Sequence, residues 1–180
     1  MKRIAVFCGS NSGANPRYLE AARELGTLMA ARDLELVYGG AHVGLMGAIA
    51  DAILAAGGRA RGVIPRALSD KELAHDRLTE LFVVGSMHER KAKMAELADG
   101  FIALPGGMGT LDELCEMITW AQLGIHHKPI GLCNIDGYFT RLVEFFDHAI
   151  DAGFVRAEHR RIYCVENSPA ALLASLANLR

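Results

Sequence analysis

Three glycine clusters constrain this chain most. Each lies directly behind a short apolar run and directly before a longer amphipathic one. They are Gly9-Ser10-Asn11-Ser12-Gly13, Gly39-Gly40-Ala41-His42-Val43-Gly44-Leu45-Met46-Gly47 and Pro105-Gly106-Gly107-Met108-Gly109-Thr110. The apolar runs read as strands at 4–8, 34–38, 59–64, 80–84, 101–104, 130–133 and 162–165. The stretches between them read as helices at 16–32, 44–56, 87–98, 111–123, 138–152 and 169–179. In the helix at 111–123, Leu111, Leu114, Cys115, Ile118 and Gln122 fall on one stripe, and only the last is polar. Strands that alternate with helices imply right-handed crossovers and a mostly parallel sheet. Helices on both faces then make a three-layer, doubly wound α/β fold. The most irregular stretch, 65–79, is polar and reads as a loop or a short helix. At 180 residues the chain is long enough for one well-cored domain and short for two, so a single domain is expected over 1–180.

In an open parallel sheet the turns after the strands share one edge, where ligands bind. Each glycine turn also opens a helix, whose first amides lack partners and whose dipole is positive at that end. Glycine lets main chain approach an anion closely. Tight strand-to-helix packing explains one such cluster. Three on one edge point to a phosphorylated ligand. None matches the P-loop pattern, and none gives G-x-G-x-x-G after the first strand. A mononucleotide or sugar phosphate therefore fits better than a dinucleotide. Ser10 and Ser12 read as hydroxyl donors to it.

Other classes are set aside by composition. Nineteen basic against twenty-one acidic side chains give a net charge of −2, which advertises no nucleic-acid partner. No apolar run approaches the ~20 residues that span a bilayer. The start, Met1-Lys2-Arg3, leads into an apolar run too short for a signal peptide. The four cysteines, Cys8, Cys115, Cys133 and Cys164, show no C-x-x-C spacing and read as buried thiols of a cytoplasmic protein. His42, His75, His88, His126 and His127 form no metal-ligand pattern, so no metal is expected.

Two helix starts carry unusual charge. Thr110-Leu111-Asp112-Glu113 has the pattern of a capping box, with Thr110 as cap. If the preceding turn holds a phosphate, Glu113 stands within one helical turn of it, near the attached sugar. Ser86-Met87-His88-Glu89 is a second capping box, followed by Arg90 and Lys91. Cations there oppose the helix dipole at about 0.3–1 kcal/mol each. Either both are solvated, or something anionic offsets them: a ligand phosphate, or a carboxylate such as Glu113.

The run Gly85-Ser86-Met87-His88-Glu89-Arg90-Lys91, followed by Pro105-Gly106-Gly107-Met108-Gly109-Thr110-Leu111-Asp112-Glu113, resembles the Lonely Guy (LOG) family. These are cytokinin riboside 5′-monophosphate phosphoribohydrolases, formerly labelled lysine decarboxylases. Their signatures are M-H-x-R-K and P-G-G-x-G-T-x-x-E. The likeness extends through Val6-Phe7-Cys8-Gly9-Ser10, Tyr38-Gly39-Gly40, Ile64-Pro65-Arg66 and Ile118-Thr119-Trp120-Ala121-Gln122. It implies a Rossmann-like sheet in a homodimer, with Arg90 and Glu113 catalytic. It further implies that Gly107, Met108, Gly109, Thr110, Leu111, Asp112 and Glu113 hold the 5′-phosphate and ribose. Glu72, Lys91 and Thr119 match further substrate-contacting positions. Met108 stands where plant members usually carry tyrosine.

The implied reaction is hydrolysis of the N-glycosidic bond of a cytokinin riboside 5′-monophosphate, and of AMP, to free base and ribose 5-phosphate. Positive charge develops on the sugar as the bond breaks. Glu113 either stabilises it, activates the attacking water, or does both. Arg90 either orients Glu113 or binds the phosphate and ribose hydroxyls. Trp120, Met87 and Met108 line a base pocket or belong to the core. A non-hydrolytic nucleotide carrier is the alternative, and the presence of both Arg90 and Glu113 argues against it. A pyridoxal-dependent decarboxylase needs a Schiff-base lysine. Lys2, Lys71, Lys91, Lys93 and Lys128 offer no convincing context for one, so no cofactor is expected.

Overall fold

The computed structural model describes residues 1–69 and 73–179. Seven strands form one sheet: β1 Arg3–Phe7, β2 Glu35–Tyr38, β3 Ala60–Pro65, β4 Glu80–Val84, β5 Gly100–Ala103, β6 Ile130–Cys133 and β7 Tyr163–Glu166. Their order is β4-β3-β2-β1-β5-β6-β7, and every pairing is parallel. Each side of a parallel sheet needs cover, and alternation along β1 shows how it is supplied. Ile4 and Val6 face α1 Pro16–Ala31, α2 Gly44–Ala55 and α7 Pro169–Asn178. Ala5 and Phe7 face α4 Met87–Leu97 and α5 Met108–Gln122, with Leu142, Val143 and Phe146 of α6 Thr140–Asp151 packed on that core. The short α3 Arg66–Ser69 follows β3 within the stretch that read as loop or short helix.

The doubly wound architecture is as expected, and the differences have local causes. Helix α6 starts at Thr140 rather than at 138, because Asp136 and Gly137 take positive φ and reverse the chain first. Asn134 then accepts the amide of Phe139 at 2.7 Å and fixes the entry to the helix. Cysteine burial is a correction. Cys8 and Cys133 are buried, but Cys164 is half-buried and Cys115 is exposed. Cys115 is exposed because the inward stripe of α5 runs through Thr110, Glu113, Leu114, Met117 and Ile118, one step round from the expected stripe. That displaced stripe is what carries a carboxylate into the interior.

The chain leaves β1 toward one face and β5 toward the other, so the crevice between these neighbours is the sheet's topological switch point. The three glycine turns all lie along this carboxyl edge. The turn after β1 is tied to the turn after β5 by the Gly9 amide, which donates to the Pro105 carbonyl at 3.1 Å. It is tied to the start of α2 by the Leu45 amide, which donates to the Gly9 carbonyl at 3.0 Å.

Candidate active site

The turn after β5 sets the site. Helix α5 begins at Met108 with Gly107 as its N-cap, and no side chain caps it. This corrects the capping-box reading of Thr110 and Glu113. Thr110 sits inside the first turn, is 3% exposed, and has its hydroxyl packed against Gly106. The first intrahelical bond comes from the Leu111 amide to the Gly107 carbonyl, so the amides of Met108, Gly109 and Thr110 precede it. A side chain added at Gly107 or Gly109 would meet nothing within 4 Å. Protein packing therefore does not require glycine at either position. The open space in front of them suits a group that comes close to those amides, and the dipole favours an anion.

Helix α4 supplies the second component. Ser86 caps it by accepting the Glu89 amide at 3.1 Å, as a capping box predicts, and Glu89 reaches back one residue further than that pattern, to the Gly85 amide at 2.8 Å. Arg90 and Lys91 are not solvated: they are 9% and 8% exposed. Carboxylates of α5 offset both. Arg90 Nη1 donates to Glu113 Oε1 at 2.9 Å, while its Nε donates to the Val63 carbonyl at 3.1 Å. Lys91 Nζ lies 3.0 Å from Asp112 Oδ2 and 3.3 Å from Glu116 Oε1. Gly39 belongs to this arrangement by close approach, since any side chain there would collide with the Arg90 guanidinium.

Burial raises the Glu113 carboxyl above the usual carboxylate range, against the attraction of Arg90, with Asp112 adding repulsion. Hydrogen bonds and attraction from Asp112 and Glu116 outweigh desolvation at Lys91 and raise its pKa. A lysine held as the ammonium in this way is the opposite of the neutral amine that Schiff-base chemistry needs. Among the described residues no three His, Cys, Asp or Glu side chains converge as a metal-ligand set.

Arg90, Glu113, Gly107, Met108, Gly109 and Thr110 line one cavity of about 390 Å³, together with Gly9 and Ser10. Its opposite wall is apolar and comes from Val43, Met46, Ile64, Leu68 and Leu73. That wall was not legible in the sequence beyond the glycine turn that leads into it, because apolar residues scattered over α2, β3, α3 and the segment after it have no shared spacing. Ser12 lines an adjoining cavity behind Gly107, beside Tyr18 and Tyr138. A larger open groove lies at the opposite, amino edge of the sheet, away from the glycine turns.

Several expected contacts lie elsewhere. Lys91 and Asp112 form an ion cluster beside the cavity, and Leu111 packs into the core shared by α4 and α5. Trp120 packs on the same core, and Met87 is exposed on α4 without lining the cavity. Thr119 is not brought to Glu113 within one chain. Six residues rotate a helix by about 240°, which turns Thr119 away. Its hydroxyl donates to the Cys115 carbonyl at 2.7 Å, and it lines a small cavity between α5 and α6. Glu72 lies outside the described residues.

A parallel sheet with unpartnered helix-start amides and a buried acid–guanidinium pair in one crevice defines a Rossmann-like protein with a cavity at its switch point. The family model described as "Possible lysine decarboxylase" matches residues 46–176. The chain is 54% identical over 161 residues to cytokinin riboside 5′-monophosphate phosphoribohydrolase LOG7 of Arabidopsis thaliana, covering 89% of this chain and 74% of that one. It is 49% identical over 170 residues to LOG1 of the same plant, covering 94% and 79%. This chain accordingly belongs to the LOG family. Among solved structures, the Moco carrier protein from Chlamydomonas reinhardtii aligns with a TM-score of 0.76 at 24% identity, over 99% of this chain and 96% of that one, a likeness of fold.

Proposed function

We propose that this protein hydrolyses the N-glycosidic bond of nucleoside 5′-monophosphates, cytokinin ribotides and AMP included, to free base and ribose 5-phosphate. The observation that carries this reading is the buried Arg90–Glu113 pair on the wall of the same cavity as the open amide cradle. The names of the relatives at about half identity support it. The 5′-phosphate docks on the amides of Met108, Gly109 and Thr110, and the ribose lies over Glu113. The electron pair of the C1′–N bond leaves with the base, which takes up a proton. Glu113 takes a proton from the attacking water and faces the positive charge on the sugar. Arg90 holds the carboxylate in place through Nη1. The base and any N6 substituent lie against the apolar wall.

The phosphate supplies binding energy remote from the reacting bond, so a ribotide should turn over far faster than its riboside. Chromatographic assay of adenine released from AMP and from adenosine tests this. Equal turnover of the two, or AMP bound with no adenine released, overturns it.

The protein acts as a homodimer in this reading, with the whole chain serving one catalytic unit in each copy. Helix α6 supports the dimer. It buries none of its residues fully, and Phe145 stands 62% exposed on it, while Leu123 and Ile125 project beyond the end of α5. Thr119 and the small apolar cavity between α5 and α6 lie on this side, where a second copy would cover them. Four free thiols agree with a reducing, cytoplasmic setting.

A further inference from the structure

The segment 73–77 brings Leu73 to one side of the cavity, and an internal clasp holds it there. Leu73 contributes to the apolar wall beside Ala41, Val43 and Met46. Residues 73–75 lie along the turn after β2. The His42 amide donates to the Leu73 carbonyl at 3.0 Å, the His75 amide donates to the Gly40 carbonyl at 2.9 Å, and Ala41 and Ala74 form an antiparallel bridge. His75 itself is 5% exposed. Its Nδ1 accepts the Arg77 amide at 3.1 Å, which places the ring proton on Nε2. Nε2 faces Asp51 Oδ1 on α2 at 3.3 Å, and the Arg77 guanidinium pairs with the same carboxylate. A buried imidazole in that state bridges the Arg77 main-chain amide and the Asp51 carboxylate, with each nitrogen committed.

We propose that His75 and Asp51 are positioning residues that fix the apolar wall of the cavity, and so set affinity and preference for an N6-substituted base without touching the reacting atoms. The geometry supports this because α2 and the turn before it meet this part of the wall at two points. The turn and helix start present Ala41, Val43 and Met46, and Asp51 holds the 73–77 segment through His75. Loosening the clasp frees Leu73 while leaving Arg90, Glu113 and the amide cradle on α4 and α5 untouched. The proposal rests on the ribotide reading above.

The test compares His75→Ala, His75→Gln and His75→Asn, with AMP and N6-isopentenyl-AMP as probes. Calorimetric Kd values are measured alongside kcat and KM. His75→Ala should raise Kd and KM for the prenylated ribotide about five- to tenfold, the size of one lost hydrogen bond, and those for AMP by less. Its kcat should stay within about twofold. Glutamine can present its amide to Asp51 in place of Nε2 and should restore affinity. Asparagine restores only the acceptor for the Arg77 amide and should not. Asp51→Ala, at a half-exposed side chain, should reproduce His75→Ala and add little to it in the double variant. It carries the test alone if His75→Ala fails to fold. Unchanged affinity in His75→Ala or Asp51→Ala, a fall confined to kcat, or rescue by asparagine and not by glutamine would overturn the proposal. A wild-type protein that binds ribotides without cleaving them would sink the hydrolase reading, while the Kd series still decides the role of the clasp.

Discussion

Arg90 and Glu113 are each costly where they stand, and their pairing reconciles them. A guanidinium in the first turns of α4 opposes the helix dipole, and a carboxylate at 6% exposure resists ionisation. Removing one partner strands the other, at about 3–5 kcal/mol when the lone charge stays buried. Arg90→Ala should therefore lower the melting temperature as well as abolish turnover, and Arg90→Ala/Glu113→Gln should regain part of that stability. Glu113→Gln should lower kcat about 10²–10⁴-fold with the fold retained, read by base release and circular dichroism. The pH dependence follows from the raised carboxyl pKa. If Glu113 acts as its carboxylate, as proposed, the acid limb of kcat/KM should lie above the ordinary carboxylate range of about 4.3. A folded-state pKa above the unfolded value gives stability that is present at low pH and lost as pH rises through the folded pKa. Going from pH 4 to pH 7 should thus shift the stability difference toward Glu113→Gln, measured by denaturant midpoints. Arg90 was legible in the sequence as a cation against a helix dipole, and Glu113 as a carboxylate beside a glycine turn. Their pairing stood there only as one alternative to solvation or a ligand phosphate, because choosing between these depends on how α4 and α5 pack.

The N-terminus of α5 separates a packing requirement from a binding one. Gly107→Ala and Gly109→Ala place a methyl in open space, so both variants should melt close to wild type. If phosphate fills that space, both should raise KM for AMP at least tenfold. Gly39→Ala should instead lose stability and activity together, since its methyl meets Arg90. The strands were readable to within a residue or two, because buried parallel strands are short continuous apolar runs bounded by glycine or polar residues. The start of α5 was misread by three residues. Thr110 and Glu113 fit a capping box, but the chain already turns helical at Met108, and the threonine is used inside the first turn against Gly106. Thr119, named only through the family resemblance, lies between α5 and α6 and away from Glu113 within one chain, a placement that depends on how the helices pack.

The whole molecule leaves α6 half-used. Leu142, Val143 and Phe146 pack on the sheet's core, while Phe145 faces outward. Phe145→Asp should convert a dimer to a monomer in sedimentation with little change in helix content. An unchanged sedimentation coefficient would show that this face is not the interface. The doubly wound order was inferable only in class. The alternation of strands and helices fixes parallel pairing, but not that β1 lies between β2 and β5. That placement has a temporal consequence. Ile4 pairs with Gly100 and Phe7 with Ala103, and the Asp99 carboxylate accepts the amides of Lys2 and Arg3. During synthesis β1 thus has to wait, apolar and without this neighbour, while the ribosome extrudes the long stretch between Ile4 and Gly100. Contacts so distant in sequence slow folding and leave nascent chains prone to association. The crevice at the switch point comes into being only when this seam between β1 and β5 closes.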